Sequence, residues 1–213
     1  MRSVASLVVD RARLASRAMQ VAILLVFAAG VLRGNVSVVV NAVLGLGVTL
    51  LPALLERDYR IHLGPRLTLW ITAAVLLHAV GMLGLYDSVW WWDHLTHTLS
   101  ATVIAAVGYV TARVVDVHYD AVYLPPRFMA VYVVLFTMAV GVYWEVLEFA
   151  VRVGAPSLGL NPMLVQYGLS DTVVDLVFDG VGGLLVAVFG TRELGGLVET
   201  LVARFSGPGS ERR

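Results

Sequence analysis

Apolar residues in this chain gather into runs of about 20, the length at which a helix crosses the hydrocarbon core of a bilayer. The runs cover residues 18–32, 35–55, 67–85, 93–112, 128–153 and 171–190, and polar or helix-breaking residues separate them. Pro52 and the charged run 56–60 close the second. Pro125 and Pro126 block helix in the connector 113–127 that follows the fourth, and Gly and Pro residues fill the loop 154–170 after the fifth. Past residue 190 the pattern changes. Leu194, Leu197, Val198, Leu201, Val202 and Phe205 recur at three-and-four spacing, which predicts an amphipathic helix lying on the membrane surface. These features predict an all-α, polytopic membrane bundle of six transmembrane helices. Residues 1–17 form an amphipathic cytoplasmic lead-in, 18–190 the transmembrane domain, and 191–213 a cytoplasmic surface helix that ends in a disordered tail from 206.

Composition agrees with the pattern. The chain is 59% hydrophobic and 14% charged, against about 25% charge in soluble domains. Net charge is zero and no basic patch remains outside the apolar runs, so nucleic acid is not an expected partner. The absence of cysteine excludes disulfides, thiolate metal sites and cysteine nucleophiles. All the basic residues are arginine, and they set the orientation. With six spans and the N-terminus inside, only Arg33 and Arg152 fall on the outer side. The positive-inside rule therefore predicts both termini in the cytoplasm, in a multi-pass protein of the plasma or inner membrane. A signal peptide ending near Ala28-Ala29-Gly30 is the competing reading of the first run, but the next apolar run begins almost at once.

Candidate chemistry enters with the ionisable residues inside the spans. Trp90-Trp91-Trp92 reads as an interfacial belt, and Asp93, His94 and His97 follow it at the start of the fourth span. On the predicted topology, His78 in the third span, Glu145 and Glu148 in the fifth, and Asp171, Asp175 and Asp179 in the sixth all fall in the same outer half. Each charge near the bilayer centre costs about 2.5–3.5 kcal/mol on insertion scales. The three acids of the sixth span, spaced by fours, form one helical stripe. They must face the bundle interior and be neutralised by protons, by His94 and His97, by Arg152 or by a divalent cation.

Carboxylates with imidazole suit Zn, Mn or Fe, and carboxylates alone suit Mg or Ca. Asp93, His97, Glu148 and Asp175 form the expected ligand set for a divalent metal (Zn, Mn, Fe or Mg). Glu145 is the expected general base, and His94, Asp171 and Asp179 are supporting neighbours. Plainer roles compete: Glu148 four residues before Arg152 fits a simple ion pair, Asp171 complements a helix start, His78 fits a hydrogen-bonded core position, and Gly180, Gly182 and Gly183 fit close helix packing. No serine-nucleophile elbow, P-loop or HExxH is present.

Asp93-x-x-x-His97, then Glu145-x-x-Glu148, then Asp171-Thr172-x-x-Asp175-Leu176 before a Gly-rich apolar run resembles the YjdF-type inner-membrane proteins. More distantly, it is similar to the VanZ-like family. The resemblance covers roughly residues 86–189 and would mark Asp93, His97, Glu145 or Glu148, Asp171 and Asp175 as shared positions. His94 and Asp179 stand as additions, and the VanZ-type Asn after its Asp is not matched. The resemblance implies a small integral membrane protein and names no reaction. Three functions stay open at this stage: a metal-dependent hydrolase or transferase acting on a lipid or lipid-linked substrate, a proton- or cation-coupled transporter, and a non-catalytic membrane scaffold.

Overall fold

The computed structural model describes residues 4–159, 162, 164 and 167–206. Six long helices take up most of them, and no strand occurs among the described residues. They are α1 (Val4–Leu32), α2 (Val36–Tyr59), α3 (Pro65–Val80, continued through a segment Gly81–Leu85 that kinks at Gly84 into Tyr86–Ser88), α4 (Trp92–His118), α5 (Pro126–Gly154) and α6 (Leu169–Phe205). Each is long and apolar enough to cross a membrane, so the fold is that of a multi-pass, all-helical membrane protein.

The termini of these helices have local causes. Gly34, at φ +64°, closes the α1–α2 turn, and Asn35 caps α2 by accepting a hydrogen bond from Val38 N at 3.1 Å. Pro65 and Pro126 each sit in the first turn of a helix, where the missing N–H costs nothing. Pro126 therefore starts α5 rather than merely blocking helix.

Three boundaries differ from the sequence pattern. From Val4 onward the lead-in is no separate element, because α1 runs unbroken from there. The fourth span extends past Ala112 to His118; Arg113 pairs with Asp116, whose Oδ1 accepts a hydrogen bond from Leu124 N at 2.6 Å, tying down the shortened connector. The amphipathic segment after 190 is not a surface helix set apart from the sixth span. It prolongs α6 to 37 residues, about 55 Å at 1.5 Å per residue. Leu194 and Val198 are buried against Val110 and Val114 of α4 and Met129 of α5. That burial outweighs the roughly 1 kcal/mol each that Gly190, Gly195 and Gly196 cost a helix. The expected tail from 206 lies, beyond Ser206, outside the described residues.

The helices pack as two units of three. In one, Ile23 and Val26 of α1, Val38 and Ala42 of α2 and Ala79 of α3 share a core. In the other, α4, α5 and α6 enclose a second core around Ala105, Tyr109, Val133 and Leu194. The second unit is the tighter. A Cβ on Gly182 of α6 would fall 2.6 Å from both Ala101 Cβ and the Thr98 carbonyl oxygen of α4, and one on Gly183 would lie 3.3 Å from Val134 Cα of α5. Glycine at these positions lets α6 approach α4 and α5 to backbone contact.

Two glycine substitutions on one helix should therefore act in opposite directions. Gly196 has no atom within 4 Å of a built Cβ, so Gly196→Ala is expected to raise stability by up to about 1 kcal/mol through helix propensity. Gly182→Ala is expected to lower it by about 1–3 kcal/mol through overpacking. Thermal melting of the detergent-solubilised variants checks both signs.

Candidate metal centre

Two helix starts, packed together, build the centre. Trp90 is 82% exposed and Trp91 partly so, as an interfacial belt requires. Trp92 turns inward and donates from Nε1 to the Leu77 carbonyl at 3.2 Å. This fixes the entry of α4, so that Asp93, His94 and His97 on its first turns look toward α6. On α6, Asp175 and Asp179 are one turn apart and both buried, facing α4 across the Gly182 contact.

The geometry around His97 gives its two ring nitrogens different partners. Nδ1–H donates to Asp179 Oδ1 at 3.2 Å. Nε2 is then left pointing between Asp93 Oδ1, 3.7 Å away, and Asp175 Oδ2, 4.0 Å away. Those separations are too long for hydrogen bonds. One ligand atom from each of Asp93, His97 and Asp175 lies within 4.8 Å of the others. Tetrahedral zinc at about 2.0–2.1 Å from its donors spaces them roughly 3.3–3.5 Å apart, so the three side chains would have to draw together by up to about 1.5 Å to close on an ion. The Asp179–His97 hydrogen bond is the arrangement that fixes tautomer and ring orientation in metal-bound histidines.

Unpartnered polar atoms point into the same place. Asp175 is 1% exposed, and its Oδ1 has no hydrogen-bond partner. His94 Nδ1, 3.8 Å from that oxygen, is likewise buried without one. His94 is stacked on Phe178 at 4.5 Å, with the rings 3° from parallel. It is therefore held in the site, unlike a histidine simply resting at the interface. Buried polar atoms are seldom left unpaired, and a nitrogen and a carboxylate oxygen facing each other at this distance leave room for a shared ligand.

The remaining sequence candidates are distributed around this core. Glu148 is buried on α5 and shares the wall of a cavity of about 440 Å³ with Asp93, His97 and Asp179. It stands outside the three-residue cluster, and among the described residues no ion pair joins it to Arg152. Glu145 does not line that cavity. Its Oε2 accepts from Thr172 Oγ1 at 2.7 Å, and its Oε1 is buried without a partner. Asp171, in the first turn of α6, accepts from Tyr167 N at 3.0 Å and so serves the helix entry. His78 bonds through Nε2 to Asn41 Oδ1 at 3.1 Å and through Nδ1 to the Tyr86 hydroxyl at 2.8 Å, as a satisfied core histidine would.

Sequence reasoning missed Asn41, Tyr86 and Thr96. A kink in α3 at Gly84 positions Tyr86. Gly84 at φ +113° permits it, and at Gly81 any Cβ would strike the Tyr86 ring at 2.5 Å. The two glycines of Gly81-Met82-Leu83-Gly84 were the available signal for this kink. A second latch lies at the rim, where Tyr167 Oη donates to Asp87 Oδ1 at 2.5 Å. Burial and this carboxylate hold the Tyr167 phenol above its ordinary range.

Comparison with known families covers most of this structure, with a match over residues 15–195. The chain belongs to the family described as "Predicted membrane protein (DUF2238)". The matched range contains every residue of the centre. An "Uncharacterized protein" of Thermotoga maritima is 28% identical over 133 residues, which is 62% of this chain and 65% of that protein. The alignment thus spans a little under two thirds of that relative's length. No solved structure matches.

The His97–Asp179 bond should be measurable without any ion. A double-mutant cycle of His97→Ala and Asp179→Ala, melted in chelator, is expected to give a favourable coupling of about 1–3 kcal/mol. Additivity within about 0.5 kcal/mol would show that the two side chains do not support each other.

Proposed function

We propose that this protein holds a divalent cation inside the membrane, at Asp93, His97 and Asp175, and uses it in hydrolysis or group transfer on a lipid or lipid-linked substrate. The observation that carries the proposal is the orientation of His97, with Nδ1 bonded to Asp179 and Nε2 directed between two carboxylates it does not hydrogen-bond. Asp93, Glu145, Glu148, Asp175 and Asp179 lie near only two imidazoles, and an ion of charge two offsets that excess. Zn, Mn or Fe suits the mixed oxygen and nitrogen donors better than Mg. When bound, such an ion activates water and polarises a phosphoryl or acyl oxygen.

The chain's own residues then divide the work. Asp179 holds the His97 ring, and His94 Nδ1 faces the free oxygen of Asp175. Glu148, on the cavity wall, is placed to take a proton from a nucleophile, so we assign it the general-base role that the sequence pattern gave to Glu145. Glu145, outside the cavity lining, is anchored to Thr172 of α6. The likeness to YjdF-type proteins rests on this same ordered set of acids and histidine. On the predicted orientation, the centre lies in the outer half of the bilayer.

A cation carrier is the second reading, favoured by a cavity placed between two three-helix units. Against it stands the close packing just below Asp179, where Gly182 meets Ala101 and Thr98 and the buried polar groups beneath, Thr102 and Thr137, carry no charge. A purely structural role for the cluster is opposed by the unpartnered atoms of Asp175, His94 and Glu145.

Elemental analysis of detergent-purified protein, at matched folded yield, tests the proposal. Near-stoichiometric Zn, Mn or Fe is expected in the wild type and in Glu145→Gln, and its loss in His97→Ala and Asp175→Ala. A wild-type protein that stays metal-free after reconstitution with each ion would overturn it. Counter-ion uptake into proteoliposomes that vanishes in Asp175→Asn would favour the carrier instead.

A further inference from the structure

The cavity beside the metal centre extends far beyond what the polar cluster needs. It runs between the two three-helix units, with walls from α2, α3, α4 and α5. Among the described residues, α2 makes no substantial contact with α5 or α6, so the space between them opens sideways toward lipid. Leu44 and Val48 of α2 and Trp144 of α5 line this opening and are themselves exposed.

Polarity is graded along the cavity. At one end lie Asp93, His97, Glu148 and Asp179, with Tyr86 and His78 beside them. The rest is mostly apolar, with Leu44, Val48, Ile71, Val75, Val103 and Ile104 as its main lining and only the hydroxyls of Ser100 and Thr137 between them. The chain directions make this a gradient in depth. From the polar end, α2 and α4 descend toward higher residue numbers, and α3 and α5 toward lower ones. From Asp93 to Ile104 is about 16 Å at 1.5 Å per residue, close to half of the roughly 30 Å hydrocarbon thickness. At the deep end the two units are joined: Trp70 Nε1 donates to Thr102 Oγ1 at 2.7 Å, and Leu67 packs on the α4–α6 core.

We propose that this cleft receives one acyl chain of a bilayer lipid, entering sideways between α2 and α5, with the lipid's headgroup at Asp93, His97 and Asp175. Three observations select that occupant. The apolar length equals one leaflet, the volume of about 440 Å³ lies within the usual range for ligand sites, and the polar groups stand at the one end where a headgroup would sit. The placement of the headgroup rests on the metal reading above. The seat for the chain rests on the cleft alone.

Photolabelling separates the two. The protein is reconstituted in nanodiscs of phosphatidylethanolamine and phosphatidylglycerol, a small share of the latter carrying a diazirine near the end of one acyl chain. Irradiation and peptide mapping are expected to place adducts on Ile71, Val75 and Ile104 as well as on outward residues such as Leu135 and Phe149. Ile104→Trp, which fills the cleft, is expected to reduce the inner adducts at least fivefold while leaving the outer adducts and the metal content unchanged. Val48→Trp, at the mouth, provides the same test if Ile104→Trp folds poorly. Labels confined to outward faces, or inner labels indifferent to both substitutions, would overturn the acyl-chain seat, even with metal bound. Inner labels on a protein that binds no metal would support the seat and remove the metal reading. Preferential labelling of the same wall by a photoreactive polyprenyl phosphate would overturn the choice of an acyl chain.

Discussion

Carboxylates placed within a hydrocarbon slab have few tolerable arrangements. Each costs several kcal/mol unless it finds protons, partners or a cation. Here Asp93, Asp175 and Asp179 come from two helices and meet around His94 and His97, with Glu148 of a third helix on the adjoining cavity wall. That requirement governs much of the rest of the architecture. It turns α4 and α6 face to face and places the acid-bearing turns at the same end of the bundle. It also demands close helix approach, because a carboxylate neutralises a neighbour's imidazole only at short range.

Glycine supplies the approach. Gly182 and Gly183 bring α6 against Ala101 and Thr98 of α4 and against Thr137 and Val134 of α5. Directly above that contact, Asp179 reaches His97, and one turn higher Asp175 faces His94. The order along α6 is therefore a polar stripe over a small-residue stripe, the second holding the first in register. The other unit contributes differently. The kink of α3 at Gly84 brings Tyr86 back onto His78, and Asn41 of α2 completes that chain of hydrogen bonds. α2 and α3 thereby supply one wall of the cleft while α4, α5 and α6 supply the charged end.

Much of this was legible in the sequence. Run length and arginine placement gave six spans, and helical spacing put Asp93 with His97 and Asp175 with Asp179 on shared faces. Depth alone, however, cannot say which of Glu145 and Glu148 faces the cavity. The two lie only about 60° apart around α5, and the rotation of that helix is fixed by tertiary contacts such as Gly141 against Asp179 and Leu176. The same reason hid the continuation of α6. Leu194 and Val198 carry a pattern that suits a lipid surface equally well, and only the presence of α4 beneath them decides the matter. Asp179 was readable as a buried acid, but its hydrogen bond to His97 Nδ1 depends on a ring orientation that spacing does not specify.

The central claim is that His97, oriented by Asp179, presents Nε2 to a cation shared with Asp93 and Asp175. Electron-spin-echo modulation of the Mn2+-loaded protein reads that bond directly. Coupling from a metal-bound imidazole nitrogen is predicted, altered by 15N-histidine labelling, kept in His94→Ala and absent in His97→Gln. Bound Mn2+ with no nitrogen coupling, or coupling that survives in His97→Gln, would contradict the account.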